Sequence, residues 1–401
     1  MWRRNGRATD RSREPLLSVA FLELCLFNFA ASAAVFALLP VAPYRIHDLG
    51  GPTEAAGLFL GSLTFASALS APFTGALGDR LGQGRVLATA ATAIAALFAI
   101  YSFVTAWPLF VALAFAQGIF WSAVLTSSGA YAVRLIPEAR RGEGFAVHGM
   151  ATILAISLAP SLGFLLFGLG WRWLTAVLAA ANGAIALLAL RFVGGDAEVS
   201  RRAGLAPPPE RLAWPVLRFA VGLFLVSLGY GGLTSFIALY TEFRGVAPRG
   251  VFFVAFAGTI FGLRPFVGRW IDRVGAFAAL RPSIVAVAVA LSLMPLAATR
   301  PAIAACAVLY GLGFAAIGPA FTTYVIGRVA PERRGAAFGA NIAAFDTGIG
   351  SGSILFGPVI AHAGYAPAFA LAAVAAIGAW PYFSWARRRF EAETAAEATV
   401  S

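Results

Sequence analysis

The sequence predicts an all-α membrane protein with twelve transmembrane helices in two pseudo-symmetric six-helix bundles. Three observations lead to this fold class: the composition, a series of long apolar segments, and a loop that occurs twice. The 401 residues are 60% hydrophobic and only 12% charged, whereas soluble domains carry about 25% charged residues. A chain of this composition is expected to fold within a bilayer.

Twelve apolar segments make up most of the chain, and each reaches the roughly 20 residues that a membrane span needs. A polar stretch at 194–212 divides them into two sets of six. We therefore predict an N-terminal bundle at 1–193, a cytoplasmic linker at 194–212, and a C-terminal bundle at 213–401 with a short cytoplasmic tail. The predicted spans lie near 16–43, 54–77, 86–105, 107–134, 143–168, 171–192, 215–241, 249–271, 279–298, 301–327, 335–361 and 365–386.

A short loop, G-x-x-x-D-R-x-G, occurs at 75–82 and again 193 positions later at 268–275. The same shift relates Gly118 to Gly311 and Tyr131 to Tyr324. Matches at turn and polar residues are hard to obtain by chance among Ala-rich helices. They indicate duplicated halves, and duplicated membrane halves are typical of secondary transporters.

The basic residues predict the orientation of the chain in the membrane. All 30 are arginine, and about 25 fall on the cytoplasmic side if both termini are cytoplasmic. This excess follows the positive-inside rule. It predicts a multi-pass protein of the cell inner (plasma) membrane with both termini in the cytoplasm. The net charge of +12 is therefore interpreted as contact with lipid headgroups, not as nucleic-acid binding.

These motifs resemble those of the major facilitator superfamily over essentially the whole chain. Pro160 and Gly163, within the segment Ala-Pro-Ser-Leu-Gly at 159–163, resemble a motif of the family's exporters. The pattern is most similar to bacterial proton-coupled exporters of the drug and sugar-efflux type. The signature loops between helices two and three and between helices eight and nine are matched by Gly75, Asp79, Arg80 and Gly82, and by Gly268, Asp272, Arg273 and Gly275.

The resemblance implies that these loops act as gates. The glycines permit a tight turn and close helix approach, and each aspartate provides a fixed anion at the cytoplasmic helix ends. Asp79 is expected to face the start of helix eleven near Arg334, where a helix N-terminus attracts anions. By symmetry, Asp272 is expected to face Arg141 at the start of helix five. The alternative is that both loops are only tight turns.

Two carboxylates lie clearly within predicted spans, Glu23 in the first and Asp346 in the eleventh. An ionised carboxylate at the bilayer centre costs about 2.5–3.5 kcal/mol on insertion scales. Such groups are retained for a partner, a water-filled cavity or a proton. We predict that Glu23 is the main proton-coupling residue and Asp346 an accessory one. Structural hydrogen bonds are the alternative for both.

Other polar and aromatic residues within the spans are candidates for the wall of a substrate cavity. Arg264, in the eighth span, could extend toward the membrane surface or pair with a carboxylate. An organic-anion site would need such an arginine in the cavity. The cavity candidates are Asn28, Gln117, Trp121, His148, Tyr230, Tyr324 and Asn341.

The sequence therefore predicts a secondary transporter working by alternating access, with proton-coupled export of a small organic or amphipathic solute as the leading function. An importer or uniporter of a sugar, nucleoside or organic acid is the alternative within transport. A non-transporting membrane receptor, or a membrane enzyme, is the alternative from another class. No catalytic motif, cofactor site or metal-ligand spacing is recognisable, and we expect a monomer whose partners are the solute, protons and the bilayer.

Overall fold

The computed structural model describes residues 17–137, 140–194, 214–329 and 334–400, and within them it is helical with no β-strand. Twelve helices are long and apolar enough to cross a membrane. The predicted fold class is thereby confirmed. The helices are α1 (Val19–Leu38), α2 (Leu58–Leu81), α3 (Gln83–Tyr101), α4 (Trp107–Leu135), α5 (Arg141–Leu169), α6 (Trp171–Val193), α7 (Trp214–Phe243), α8 (Val251–Val274), α9 (Ala276–Leu293), α10 (Arg300–Ile326), α11 (Arg334–Ala363) and α12 (Tyr365–Val400).

The first predicted span is in fact a helix followed by a bend and a second, short helix. α1 ends at Leu38, and a separate short helix runs over Ala42–Asp48. Pro40 and Pro43 explain the break, because proline lacks the backbone N–H and disfavours helical geometry in the residue before it. The apolar side chains continue through the bend, so hydropathy alone predicted one uninterrupted span to residue 43. A 3-10 turn at Thr53–Gly57 then leads into α2.

The packing of the helices repeats in the two halves of the chain. In the first half, α1 packs on α5, α2 on α4, and α3 on α6; the second half repeats these pairs as α7 with α11, α8 with α10, and α9 with α12. Between the halves, α2 packs on α11 and α8 on α5. These two pairs are also equivalent under the repeat, so the halves are related by a pseudo-two-fold relation.

Repeat-related glycines lie at repeat-related close approaches. A Cβ at Gly118 of α4 would lie 2.1 Å from the carbonyl oxygen of Leu63 in α2. A Cβ at Gly311 of α10 would lie 3.2 Å from the carbonyl oxygen of Phe256 in α8. Each glycine thus lets two neighbouring helices pack closely. The linker predicted at 194–212 lies, from 195 onward, outside the described residues, and so the predicted division at that segment stays a prediction.

Candidate functional site

The helices alternate in direction, so the array has two ends. We call the end that carries the connection from α1 to α2 the α1–α2 end. The other carries the connections from α2 to α3 and from α8 to α9, and we call it the α2–α3 end. The candidate site lies between the halves, where α5 meets α8 and α2 meets α11.

At the α1–α2 end the halves are in direct backbone contact. The Ser353 hydroxyl of α11 donates to the Gly57 carbonyl oxygen at 2.6 Å and accepts from Ser235 of α7 at 2.6 Å. A Cβ at Gly57 would lie 1.8 Å from the Ser353 carbonyl oxygen, so only glycine fits there. One turn further on, a Cβ at Gly357 would lie 2.5 Å from the Glu54 carbonyl oxygen. This end is closed between α2 and α11.

A second contact joins the halves at the same end. Tyr44 of the short helix is buried against Phe164 of α5, with ring centroids 6.1 Å apart. The Arg249 guanidinium lies 4.8 Å from the centre of the Tyr44 ring and forms a 2.7 Å salt bridge with Glu242. Burial and the nearby Glu242 charge raise the pKa of Tyr44, so it stays a neutral ring at physiological pH. We call Tyr44, Glu242 and Arg249 the clasp.

The two signature loops lie at the α2–α3 end, and each turns at a glycine with positive φ. Gly82 has φ 96° and Gly275 has φ 93°, a conformation that side chains with a Cβ rarely adopt. Asp79 is exposed and accepts a hydrogen bond from Gln83 Nε2 at 3.0 Å; Asp272 is also exposed.

The predicted gate contacts of these loops stay predictions. The side chains of Arg334 and Arg141, which we expected to face Asp79 and Asp272, lie outside the described set. A Cβ at Gly75 or Gly268 would meet no atom of the described residues within 4 Å. The neighbouring Arg80 and Arg273 are exposed as well.

Polar groups of the first half converge where α1, α4 and α5 meet. The Asn28 side-chain amide donates to Thr152 Oγ1 at 2.9 Å and to the His148 carbonyl oxygen at 3.4 Å. The His148 ring shares a 3.3 Å hydrogen bond with the Ser128 hydroxyl through Nε2. Its Nδ1 is buried and has no partner among the described residues. Asn28 and His148 therefore belong to one cluster, and their place in the wall of a substrate cavity stays a prediction.

From the other half, Arg264 of α8 extends toward α5 beside this cluster. Its Nη2 lies 3.9 Å from the position that a Cβ would occupy at Gly149, next to His148. The guanidinium thus points toward α5, across the boundary between the halves. Sequence reasoning left open whether it extends outward or finds a carboxylate; the structure has it facing the opposite bundle. The position of this arginine in the middle of a predicted span was the feature of the sequence that singled it out.

Asp346 lies at the second crossing, between α11 and α2. It is half-buried, and the buried Ser67 hydroxyl of α2 is within hydrogen-bonding reach of its carboxylate. Asp346 is twelve residues from the start of α11, about 18 Å at 1.5 Å per residue. One turn beyond it, a Cβ at Gly350 would lie 2.6 Å from Thr64 Oγ1. Nothing in the sequence pattern singled out Ser67.

Glu23 is nearer to a helix end than the sequence suggested. α1 begins at Val19, so Glu23 lies four residues in, about 6 Å. Its carboxylate pairs with Arg191 Nη1 of α6 at 2.5 Å. The Glu23 side chain is 20% exposed and that of Arg191 is 69% exposed. Arg191 was not identified as this partner from the sequence.

The remaining predicted cavity residues contact their own halves. Tyr230 of α7 stacks on Phe314 of α10 with centroids 4.6 Å apart, and the Asn341 amide donates to Thr322 Oγ1 at 3.1 Å, with its buried Oδ1 left without a partner among the described residues. Gln117 accepts from Tyr101 in the first bundle at 2.8 Å. Trp121 is buried, and Tyr324 donates to Glu391 of α12 at 2.8 Å.

The exporter-like segment also lies at the boundary. A Cβ at Gly163 of α5 would lie 2.0 Å from the Ala37 carbonyl oxygen, so this glycine brings α5 against α1. Pro160 lines a small cavity between the halves together with Ile156, Tyr230 and Phe256. Among the described residues there is no group of three or more His, Cys, Asp or Glu that could hold a metal ion.

Comparison with solved structures relates this arrangement to known transporters. The chain is similar to the human organic anion transporter MFSD10, with a TM-score of 0.67, 20% identity, and coverage of 90% of this chain and 98% of that one. It is also similar to the nucleoside transporter NupG, with a TM-score of 0.70, 16% identity, and coverage of 92% and 99%. At these identities the likeness establishes the fold alone.

Sequence relatives carry the comparison further. An uncharacterized MFS-type transporter of Burkholderia mallei (strain SAVP1) is 30% identical over 370 residues, covering 87% of this chain and 88% of that protein. The MFS-type transporter YhhS of Salmonella enteritidis PT4 (strain P125109) is 25% identical over 378 residues, covering 91% and 92%. The family model of the Major Facilitator Superfamily matches residues 24–299 and 220–399. The chain is therefore a multi-pass membrane transport protein, not an enzyme, and belongs to the Major Facilitator Superfamily.

Proposed function

We propose that the protein is a proton-coupled secondary transporter that exports a small organic or amphipathic solute by alternating access. The single observation that carries the proposal is a half-buried carboxylate, Asp346, at the boundary of the halves and deep within a span. Close backbone contact of the halves at the α1–α2 end, with this group lying toward the other end, supports a site that opens to one side at a time.

The proton step is assigned to Asp346 because its surroundings would change as the halves move. In this conformation the Ser67 hydroxyl of the opposite half can donate to the ionised carboxylate. Rocking α2 away from α11 removes that donor and exchanges it for solvent or for solute. A group whose charged form is stabilised in one conformation more than in the other can take up a proton on one side and release it on the other.

Glu23 remains the second candidate, and we reverse the order that the sequence suggested. Its partner Arg191 belongs to the same bundle, so rocking of one bundle against the other leaves the pair intact. Asp346 faces the opposite bundle and is coupled directly to that motion. We therefore propose Asp346 as the main proton-coupling residue and Glu23 as the accessory one.

The orientation follows from the distribution of arginine. With both termini in the cytoplasm and the chain in the inner membrane, the α1–α2 end faces outward and the α2–α3 end faces the cytoplasm. The conformation described above would then be closed to the outside. Export rests on the resemblance of the segment around Pro160 and Gly163 to exporter motifs. We further propose that the protein functions as a monomer.

Import or uniport of a nucleoside or an organic acid is the second candidate function. The similarity to NupG and to human MFSD10, whose names specify a nucleoside and organic anions, favours these solute classes over sugars. An arginine facing the boundary, Arg264, favours an acid over a nucleoside. Flux measured in both directions across the same vesicle membrane separates the two candidates.

The experiment uses the purified full chain in proteoliposomes with an imposed pH gradient and a panel of radiolabelled solutes. Asp346→Asn should abolish uphill, gradient-driven flux and keep solute exchange without a gradient. Glu143→Gln, which alters an exposed carboxylate paired with Arg140 at 2.8 Å, is the control and should behave as wild type. Normal uphill flux in Asp346→Asn would remove Asp346 from the coupling step. Binding of a solute without any flux would favour a receptor.

A further inference from the structure

We propose that Arg264 binds the anionic group of the transported solute, and that this solute is an organic monoanion with an aromatic or apolar body. The inference rests on the transport function proposed above and names the substrate class of the same site. It is carried by one guanidinium that lies at the crossing of α5 and α8 and has no partner among the described residues.

The first observation is the depth of Arg264 in its helix. It is thirteen residues from the start of α8 and ten from its end, about 20 Å and 15 Å respectively. With the last apolar span taken as Tyr365–Glu393, no other described arginine lies as far from the nearer end of its span. Its side chain points at α5 beside Gly149. Arg264 is therefore not an arginine that stabilises a helix terminus or contacts headgroups.

The second observation is that its charge is not compensated within the described part of the chain. No described residue forms a hydrogen bond or an ion pair with Arg264, and no described carboxylate acts on its charge. Asp346, the carboxylate at the other crossing of the halves, contacts Ser67 of α2 instead. Charged groups inside a membrane protein are expensive and are retained with a partner or in a water-filled pathway. The missing partner is expected to come from the cavity.

The third observation is the composition of the surroundings. Gly149 leaves the guanidinium face free, because any larger side chain there would extend toward Nη2. The adjacent His148 has a buried Nδ1 without a described partner. The planar guanidinium can donate two parallel hydrogen bonds to a carboxylate, a geometry for which arginine is better suited than lysine. With one such guanidinium, the site is matched to a monoanion.

The apolar body of the solute has a surface to pack on. Tyr230, Phe256, Phe314 and Phe345 form a continuous cluster of rings from α7, α8, α10 and α11, with centroid distances of 4.6 to 6.4 Å. Phe256 precedes Arg264 by eight residues on α8, about 12 Å along the helix. Phe314 and Phe345 are only partly buried. An anion of about that length can reach both the guanidinium and the rings.

The test compares acids with amides of the same shape on the purified full chain in detergent. The pairs are benzoate and benzamide, 2-naphthoate and 2-naphthamide, and 4-phenylbutyrate and 4-phenylbutyramide, measured by calorimetric titration and thermal shift. We expect at least one acid to bind about tenfold or more tightly than its amide, as is typical of hydrogen bonds to a charged group. Arg264→Gln should abolish this preference, and Arg264→Lys should retain part of it.

Arg269→Gln is the matched control. Arg269 lies on the same helix, is exposed, and contacts only the Phe266 ring at 5.6 Å among the described residues. It should leave the preference for the acid unchanged. Equal binding of acid and amide in all three pairs, or a preference that survives Arg264→Gln in a protein with unchanged elution volume and melting temperature, would overturn the proposal.

The outcome separates this inference from the function it rests on. Asp346-dependent uphill transport of a neutral or cationic solute, insensitive to Arg264→Gln, would contradict the anion site and leave the transport function standing. Arg264-dependent binding of an acid that is never carried across the vesicle membrane would support the site and contradict the transport function.

Discussion

Gly57→Ala is expected to shift the protein away from the conformation that is closed at the α1–α2 end. The added Cβ would lie 1.8 Å from the Ser353 carbonyl oxygen, against the 3.4 Å at which ordinary contact begins. Gly57 has φ −81°, which alanine adopts without strain, so the effect comes from the contact and not from the backbone. The 3-10 turn at Thr53–Gly57 and α11 must separate by about 1.6 Å or more.

The magnitude follows from what this separation removes. The hydrogen bond from Ser353 to Gly57 would be lost, at about 1 kcal/mol, and the overpacked contact adds about 1–3 kcal/mol. The total of about 2–4 kcal/mol changes the ratio of the two conformations about 30- to 900-fold. Because the change affects only the conformation in which α2 and α11 touch, it should raise the population that is open at the α1–α2 end.

Distances between spin labels provide the assay, after replacement of Cys25 and Cys306. One pair, on the exposed Asp48 and Thr299, spans the α1–α2 end; the other, on Leu81 and Val274, spans the α2–α3 end. In Gly57→Ala the first distance should lengthen and the second should shorten.

The repeat supplies the control. Gly250 is the repeat partner of Gly57, and a Cβ there would lie 3.7 Å from Phe164, an ordinary contact. Gly250→Ala should therefore leave both distance distributions unchanged. If Gly57→Ala also leaves them unchanged in a folded protein, the contact of α2 with α11 does not hold this end closed, and the reasoning is wrong.

Three further predictions concern charged groups. Arg249→Gln removes the cation–π contact of the clasp that joins the halves, about 0.5–1 kcal/mol, and should open the α1–α2 end about two- to fivefold by the same label distances. Asp79→Asn should weaken the predicted contact between the first signature loop and the start of α11, and should reduce transport more than expression. If the distances between the α2–α3 and α10–α11 loops and the flux are both unchanged, the motif is only a tight turn. Glu23→Gln should lower gradient-driven uphill flux only partly. If Glu23→Gln instead abolishes this flux while Asp346→Asn keeps it normal, Glu23 is the main coupling residue.

The number of helices and most of their bounds could be predicted from sequence because hydropathy and span length determine them. The break after Leu38 could not be predicted by hydropathy, since Ala42, Tyr44 and Ile46 continue the apolar run into a separate short helix. Pro40 and Pro43, which lie on either side of residues 41–42, were the better signal for the break. Positive φ at Gly82 and Gly275 was foreseeable from the motif, because a tight turn between antiparallel helices calls for glycine.

The site was less predictable because polarity does not report which way a buried side chain faces. Gln117, Tyr324, Asn28 and Asn341 are all polar, and each forms its described hydrogen bonds within its own bundle. In a helix that is apolar on all sides, no amphipathic pattern marks the face toward the cavity. The contact of Asp346 with Ser67 joins helices more than 270 positions apart, and only the fold brings them together.

The repeat itself explains where prediction ends. Residues that both halves need are duplicated, and so the turn glycines and the glycines at helix crossings could be found by comparing the halves. The groups proposed to act on proton and solute break the repeat: the counterpart of Asp346 is Ile153, that of Arg264 is Ala71, and that of Glu23 is Val216. A pseudo-symmetric frame can rock between two equivalent closures, and residues that its halves do not share can fix one orientation of an asymmetric solute. Positions of polar mismatch between the halves, at depth in the spans, are therefore where the chemistry of this transporter is expected to lie.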